Sequence, residues 1–147
     1  MENKKIKNIF HEGPILPAFI SDSIAKHATK TDIGGHSIFL GQVRADVIDE
    51  KTVVGIEYTA YEEMALQKMH DIREEIFAKY PLNCMHIHHS LGFVPTGELC
   101  LFVFTSAPHR KEAIRACEEV VERIKAELPI WGKELFDGDG YQWKVNV

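Results

Sequence analysis

Apolar residues recur along this chain with two periods, and the switches between them divide it into elements. From Pro17 to Lys30 (PAFISDSIAKHATK) the residues Phe19, Ile20 and Ile24 fall on one side of a short helix, which Asp32-Ile33-Gly34-Gly35 breaks. His36 to Val43 (HSIFLGQV) reads as a strand ending at Arg44. The polar segment ADVIDEKT then leads to Val53–Thr59 (VVGIEYT), which reads as the return arm of a hairpin with a mobile loop. Helical spacing returns over Tyr61–Tyr80 through Tyr61, Met64, Ala65, Met69, Ile72, Ile76 and Phe77, until Pro81 stops it.

The second half repeats the order. Strands at Cys84–His89 and Glu98–Thr105 are joined by LGFVPTG, whose glycines and proline mark a turn. The strand ELCLFVFT is apolar on both faces and so belongs in the middle of the sheet. Pro108–Leu128 is the second long helix, with Ile114, Cys117, Val121, Ile124 and Leu128 as its core stripe and Pro129 as its stop. YQWKV offers a last short strand. Two ββα units in succession predict a single α+β domain over residues 1–147, a mostly antiparallel sheet with two long helices packed on it. Residues 1–9 are expected to be flexible and 132–147 to form a C-terminal tail.

Composition narrows the function. A net charge of −5 argues against a general nucleic-acid binder, which needs a basic surface to displace counterions. Cys84, Cys100 and Cys117 form no CxxC pair, and an odd number cannot pair fully within one chain, which favours a reducing cytoplasm. MENKKIKNIF lacks an apolar stretch of secretory length, and no run approaches the ~20 apolar residues of a membrane span, so the chain reads as neither exported nor membrane-spanning.

Candidate chemistry starts at SAPHRKEA (106–113). A helix start carries partial positive charge and favours acidic company, yet His109, Arg110 and Lys111 stand there. Bases in that place suit an anionic ligand. Arg110 and Lys125 lie fifteen residues apart on one helix, ~22 Å along its axis, so a small-molecule site using both calls for two copies of the chain meeting at an interface. Taken alone, Lys125 also suits the helix C-terminus, where the dipole favours a cation.

Other constellations carry less. Cys84, His86 and His88 alternate onto one strand face and are good zinc ligands, but Met85 and Ile87 on the other face suggest that the apolar side turns inward and the histidines face water or a partner. No fourth ligand is spaced for them, and no metal is expected. Asp137-Gly138-Asp139-Gly140 lacks the remaining ligands of a calcium loop and reads as a turn. There is no GxSxG, P-loop or GxGxxG stretch to support triad or nucleotide chemistry.

Five separated blocks, GQVR (41–44), IEYTAYEEMA (56–65), HSLG (89–92), TSAPHRKEA (105–113) and RIKAELPIWGKE (123–134), together resemble the large, catalytic subunit of molybdopterin synthase over about Gly34–Phe136. The resemblance implies a hammerhead-like version of this α+β domain. It further implies an enzyme of molybdenum cofactor biosynthesis, a sulfurtransferase that converts cyclic pyranopterin monophosphate (precursor Z) into molybdopterin. The sulfur would come from the C-terminal Gly-Gly thiocarboxylate of a small ubiquitin-like partner, within a heterotetramer built on a large-subunit homodimer, and no other cofactor is implied. Carried over by position, Arg44, His109 and Arg110 would bind the substrate's phosphate and Lys125 would be catalytic, as nucleophile or proton shuttle. One departure bears on mechanism: the family's lysine directly after the tryptophan is replaced by Gly132, with Lys133 one place later. Either Lys133 swings in as a second catalytic lysine, or the chain is a catalytically weakened subunit that holds the pterin phosphate or the partner's tail. Ser90 also stands where the family often carries arginine, and the chain stops short of a longer basic C-terminus.

Overall fold

A strand that is apolar on both faces has to be covered twice, and the chain arranges its other elements to do so. The computed structural model describes residues 6–146. In it the elements run β1 (Phe10–Glu12), α1 (Pro17–Lys26), β2 (Gly35–Gln42), β3 (Val47–Ile48), β4 (Lys51–Ala60), α2 (Glu62–Lys79), β5 (Cys84–Pro95), β6 (Leu99–Ala107), α3 (Arg110–Glu127), β7 (Ile130–Phe136) and β8 (Tyr141–Trp143). The eight strands form one sheet with the path β2-β6-β5-β4-β7-β8, to which β1 adds along β5 and β3 along β4. Every pairing is antiparallel except β1 with β5.

The side chains of β6 alternate between two cores. Leu101 and Val103 face a large cluster with Met69, Ile72 and Ile76 of α2 and Ala116, Val120 and Ile124 of α3. Phe102 and Phe104 face the other way, against Ile15 and Ile20, the latter on α1. Burial of such a side chain stabilises by about 1.5–3 kcal/mol, so covering both faces makes β6 the backbone of the domain.

Four details differ from the sequence expectation. The hairpin does not join β2 to β4: β2 pairs with β6 along its length, while β4 lies between β5 and β7. The doubly apolar β6 needs a neighbour on each edge, and β5 supplies only one. The return arm that β4 folds back on is the two-residue β3, through a turn with Asp49 (φ 50°) and Glu50 (φ 67°) both left-handed. That backbone suits glycine or asparagine, so Asp49→Asn with Glu50→Gly should raise the unfolding free energy by roughly 0.5–1 kcal/mol in urea titration.

Second, LGFVPTG is strand up to Pro95, with the turn confined to the residues that follow. Cys84–His89 of β5 pair with β6 and Gly92–Pro95 pair with β4, so one long strand links the two halves of the sheet. Third, the buried stripe of α3 is Ala113, Ala116, Cys117, Val120 and Ile124, whereas Ile114 is 54% exposed. Alanines let the helix sit close to β6 and rotate its apolar face by one position. Fourth, α1 lies over the sheet face that carries Cys84, His86 and His88. Cys84 is buried and the histidines half-buried there, while Met85 and Ile87 fill the opposite core.

The ends of the chain are also structured. Of the lead-in expected to be flexible, residues 1–5 lie outside the described part, but Ile9 is buried and its carbonyl accepts a hydrogen bond from the His89 N–H at 2.8 Å. The segment 132–147, expected as a tail, supplies most of β7 and all of β8. Three cysteines are free and buried, and among the described residues no helix is long and apolar enough to cross a membrane.

Candidate active site

The last turn of α3, the strands β4, β5 and β7, and the segment after β8 meet around the side chain of Lys125. Position 125 follows Ile124, which is buried in the core, so its amine is carried to the edge of the helix's packed face. Two adjoining hollows open there. The larger, about 380 Å³, runs from Lys125 and Lys144 past Cys100 and Glu134 to Arg44 and Asp46. The smaller, about 80 Å³, lies between Lys125, Lys144, Tyr58, His89, Trp131 and Gly132. The larger is the size of an ordinary small-molecule pocket.

Electrostatics set the character of the site. Burial, and then the positive charge of Lys144, hold the Lys125 amine below the usual lysine pKa, against a smaller upward pull from Cys100. An amine so placed is more often neutral and is therefore a better nucleophile or base. His89 is 3% exposed and its pKa falls to about 4, chiefly through burial. Its Nδ1 lies 2.7 Å from the Ser90 carbonyl oxygen, which accepts only, so Nδ1 carries the proton and the unprotonated Nε2 is left with its lone pair. Tyr58, 5% exposed, packs edge-on to His89 with ring centroids 5.1 Å apart. Among the described residues none meets hydrogen-bond geometry at its hydroxyl, which lies beside the Cys100 thiol; burial, and then that thiol, raise its pKa further above the ordinary phenol value.

The sequence-derived residues divide between the two ends of α3. Lys125 and Arg44 line one groove of a single chain. Arg44 is largely exposed there and pairs with Asp46 at 3.3 Å, a surface contact of little strength that leaves its guanidinium available to a ligand. His109 caps α3 in extended conformation and Arg110 opens it; both are exposed and line neither hollow. The helix start docks on β2 because Gly34 and Gly35 lack side chains: a Cβ at 34 would run into the Pro108 carbonyl, and one at 35 would come within 3.2 Å of the Arg110 Cα. One chain thus does not unite Arg110 with Lys125.

Lys133 does not reach Lys125. Side chains alternate along β7, so Gly132 and Glu134 face the hollows and Lys133 faces the other way, its ammonium 4.4 Å from the Tyr141 ring and 5.3 Å from that of Trp143. The residue that sequence reasoning missed is Lys144. Trp143 pairs with Lys133, which puts Lys144 on the Gly132 side, and the Lys144 N–H donates to the Gly132 carbonyl at 2.8 Å. A Cβ at position 132 would lie 2.9 Å from Ile56 Cγ2 and 3.6 Å from Lys144 Cβ. Gly132→Ala should accordingly lower stability by roughly 1–3 kcal/mol through overpacking, seen as a lower urea midpoint. The signal for Lys144 was present only as a lysine following a strand-like YQW; its partner, the bare backbone of Gly132, is visible only in three dimensions. His89 and Tyr58 lay within the HSLG and IEYTAYEEMA blocks with no role attached to them.

Among the described residues, His27, Cys84 and His86 bring donor atoms within 4.8 Å of one another, a set of types that binds zinc. His88 lies apart from it, 2.7 Å from His11. The three donors already have partners: His27 Nε2 is 3.1 Å from His86 Nε2, and the Lys30 ammonium donates to Cys84 Sγ at 2.9 Å. Burial, His27, Lys7, Arg73 and Lys30 together push the His86 pKa down to about 4, so the surroundings are positive and disfavour a divalent cation.

Comparison with known proteins follows the same outline. Residues 17–127 match the model of the MoaE protein family. Molybdopterin synthase catalytic subunit 1 of Aedes aegypti is 43% identical over 116 residues, which are 77% of this chain and 74% of that protein. The molybdopterin synthase catalytic subunit of Drosophila willistoni is 44% identical over 115 residues, again 77% of this chain but 31% of that protein, so the chain spans about a third of this longer relative. The crystal structure of molybdopterin synthase from Staphylococcus aureus superposes with a TM-score of 0.81 at 31% identity, covering 96% of this chain and 99% of the other.

Proposed function

For this chain, which belongs to the MoaE family, we propose the activity of a molybdopterin synthase catalytic subunit: a cytoplasmic sulfurtransferase converting cyclic pyranopterin monophosphate into molybdopterin. The sulfur donor is the C-terminal thiocarboxylate of a small ubiquitin-like partner, one on each chain of a homodimer. The observation that carries the reading is the half-buried Lys125 amine, depressed in pKa and set in a groove that runs to Arg44.

Each residue has a task that its surroundings support. Arg44 of one chain, with His109 and Arg110 of its neighbour, grips the substrate phosphate, because guanidinium groups bind phosphate in bidentate fashion. Bringing the two ends of α3 together requires two copies, since a straight helix separates them by ~22 Å. Lys125, when neutral, serves the acyl end of the donor as nucleophile or proton carrier. His89, with its unprotonated Nε2, and Tyr58 line the narrow hollow beside it.

Purified protein supplied with cyclic pyranopterin monophosphate and thiocarboxylated partner should form molybdopterin. Binding of both without product would favour the alternative raised by Gly132, a weakened subunit that holds the pterin phosphate or the partner's tail. Failure to bind either would end the reading.

A further inference from the structure

Position 132 faces the catalytic hollow with no side chain, and the space above it is occupied from elsewhere. We propose that Lys144 is the second lysine of this active site, supplied by the C-terminal segment in place of residue 132, and that with Lys125 it holds the carboxylate or thiocarboxylate end of the sulfur donor. The proposal rests on the functional reading above.

Three observations place it. Strand alternation puts Lys144 on the Gly132 face, and the backbone hydrogen bond from its N–H to the Gly132 carbonyl holds it there at 2.8 Å. A second anchor follows at once, where the Asn146 side-chain amide donates to the Lys125 carbonyl at 3.2 Å and pins the segment to the end of α3. Lys144 also lines both hollows, as Lys125 does, and Tyr58 and His89 line the narrow one with them. The Lys144 ammonium beside the Lys125 amine forms a setting for one small anion. A carboxylate or thiocarboxylate at the end of a glycine tail is thin enough for a space of about 80 Å³.

Lys144 also acts on its neighbour. The charged or titratable groups facing Lys125 in the narrow hollow are Tyr58 of β4 and His89 of β5. In the wide one they are Cys100 of β6, Glu134 of β7, Glu122 of α3 itself, and Arg44 and Asp46 after β2. Among charges near enough to move the Lys125 pKa, Lys144 lowers it and Cys100 raises it. Deleting the Lys144 charge therefore moves the Lys125 pKa up, and the fraction of neutral amine near pH 7 falls.

The test compares Lys144→Met, Lys144→Arg and Lys125→Ala. Expected for Lys144→Met is a 10- to 100-fold loss of turnover, a higher KM for the thiocarboxylated partner, and a rising limb of the pH–rate profile displaced to higher pH; Lys144→Arg should keep most of the partner affinity. If Lys144→Met works as well as the wild type while Lys125→Ala is dead, this inference fails and the functional reading stands. If the wild type makes no product at all, the reading itself fails. A measurement independent of turnover decides the placement: NMR titration of the lysine side-chain resonances, with Lys125 assigned by its alanine variant. Lys144→Met should raise the Lys125 pKa, and an unchanged value would overturn the proposal.

Discussion

Lys125→Ala should reduce molybdopterin formation by about 10³-fold or more while leaving the fold intact, because the reaction loses the amine proposed to act as nucleophile or proton carrier. Lys125→Arg should be nearly as inactive. A guanidinium keeps the charge but does not lose its proton, so retention of activity by the arginine variant would show that charge alone is used. The pH dependence separates the roles further. With the Lys125 pKa below the ordinary lysine value, the rate should climb as pH rises towards that pKa and level off above it. Both variants are judged by steady-state product formation under saturating partner. A circular dichroism spectrum like that of the wild type would establish that the helix end has not come apart.

Acid should weaken this fold well before its carboxylates are neutralised. His86, His88 and His89 all have pKa values near 4, and His11 and His36 are also lowered, in each case chiefly by burial. A histidine kept neutral by the fold contributes stability that is complete above its unfolded pKa of ~6.5 and is lost as pH falls towards the folded value, because the unfolded chain takes up the proton first. For His89, nearly fully buried, this amounts to about 2 kcal/mol at pH 5 relative to pH 7.5. His86 and His88 act in the same direction but are half-exposed, so each adds less. Urea unfolding at the two pH values should show a loss of several kcal/mol in all, a large part of the roughly 5–15 kcal/mol that holds a domain together. A stability unchanged between pH 7.5 and 5 would mean that these imidazoles are far more hydrated than their packing indicates.

These histidines also show where sequence reasoning stops. Alternation in Cys84–His89 was legible, and it separated Met85 and Ile87 from Cys84, His86 and His88 correctly. What it could not supply was the cover: a strand's period says which residues share a face, while the burial of that face depends on α1, sixty residues earlier. The same limit explains β2. Its own pattern is compatible with pairing β4, and only the need of β6 for two neighbours assigns it to the far side. The long helices, by contrast, were readable to within two residues because prolines bound them, at 81, 108 and 129.

Within the site, single residues of strong chemical character were legible and their combinations were not. Lys125 and Arg44 stood out by their blocks, and they do share a groove. Lys133 was a reasonable substitute for a lysine missing at 132, but a shift of one residue along a strand turns the side chain to the opposite face, where Tyr141 and Trp143 hold it. Lys144 reaches the Gly132 place because β8 returns antiparallel to β7, a pairing that YQWKV alone does not specify.

In the proposed function, one active site is made from Lys125 of one chain and Arg110 of another. Complementation in mixed dimers tests it most directly, using Lys125→Ala and Arg110→Ala chains made separately and then co-expressed. Each variant alone should be nearly inactive. In a random mixture half the dimers are hybrids, and each hybrid rebuilds one intact site of its two, so the account predicts recovery to about a quarter of wild-type activity. A mixture no more active than its inactive parents, or full activity of the Arg110→Ala chain by itself, would contradict it.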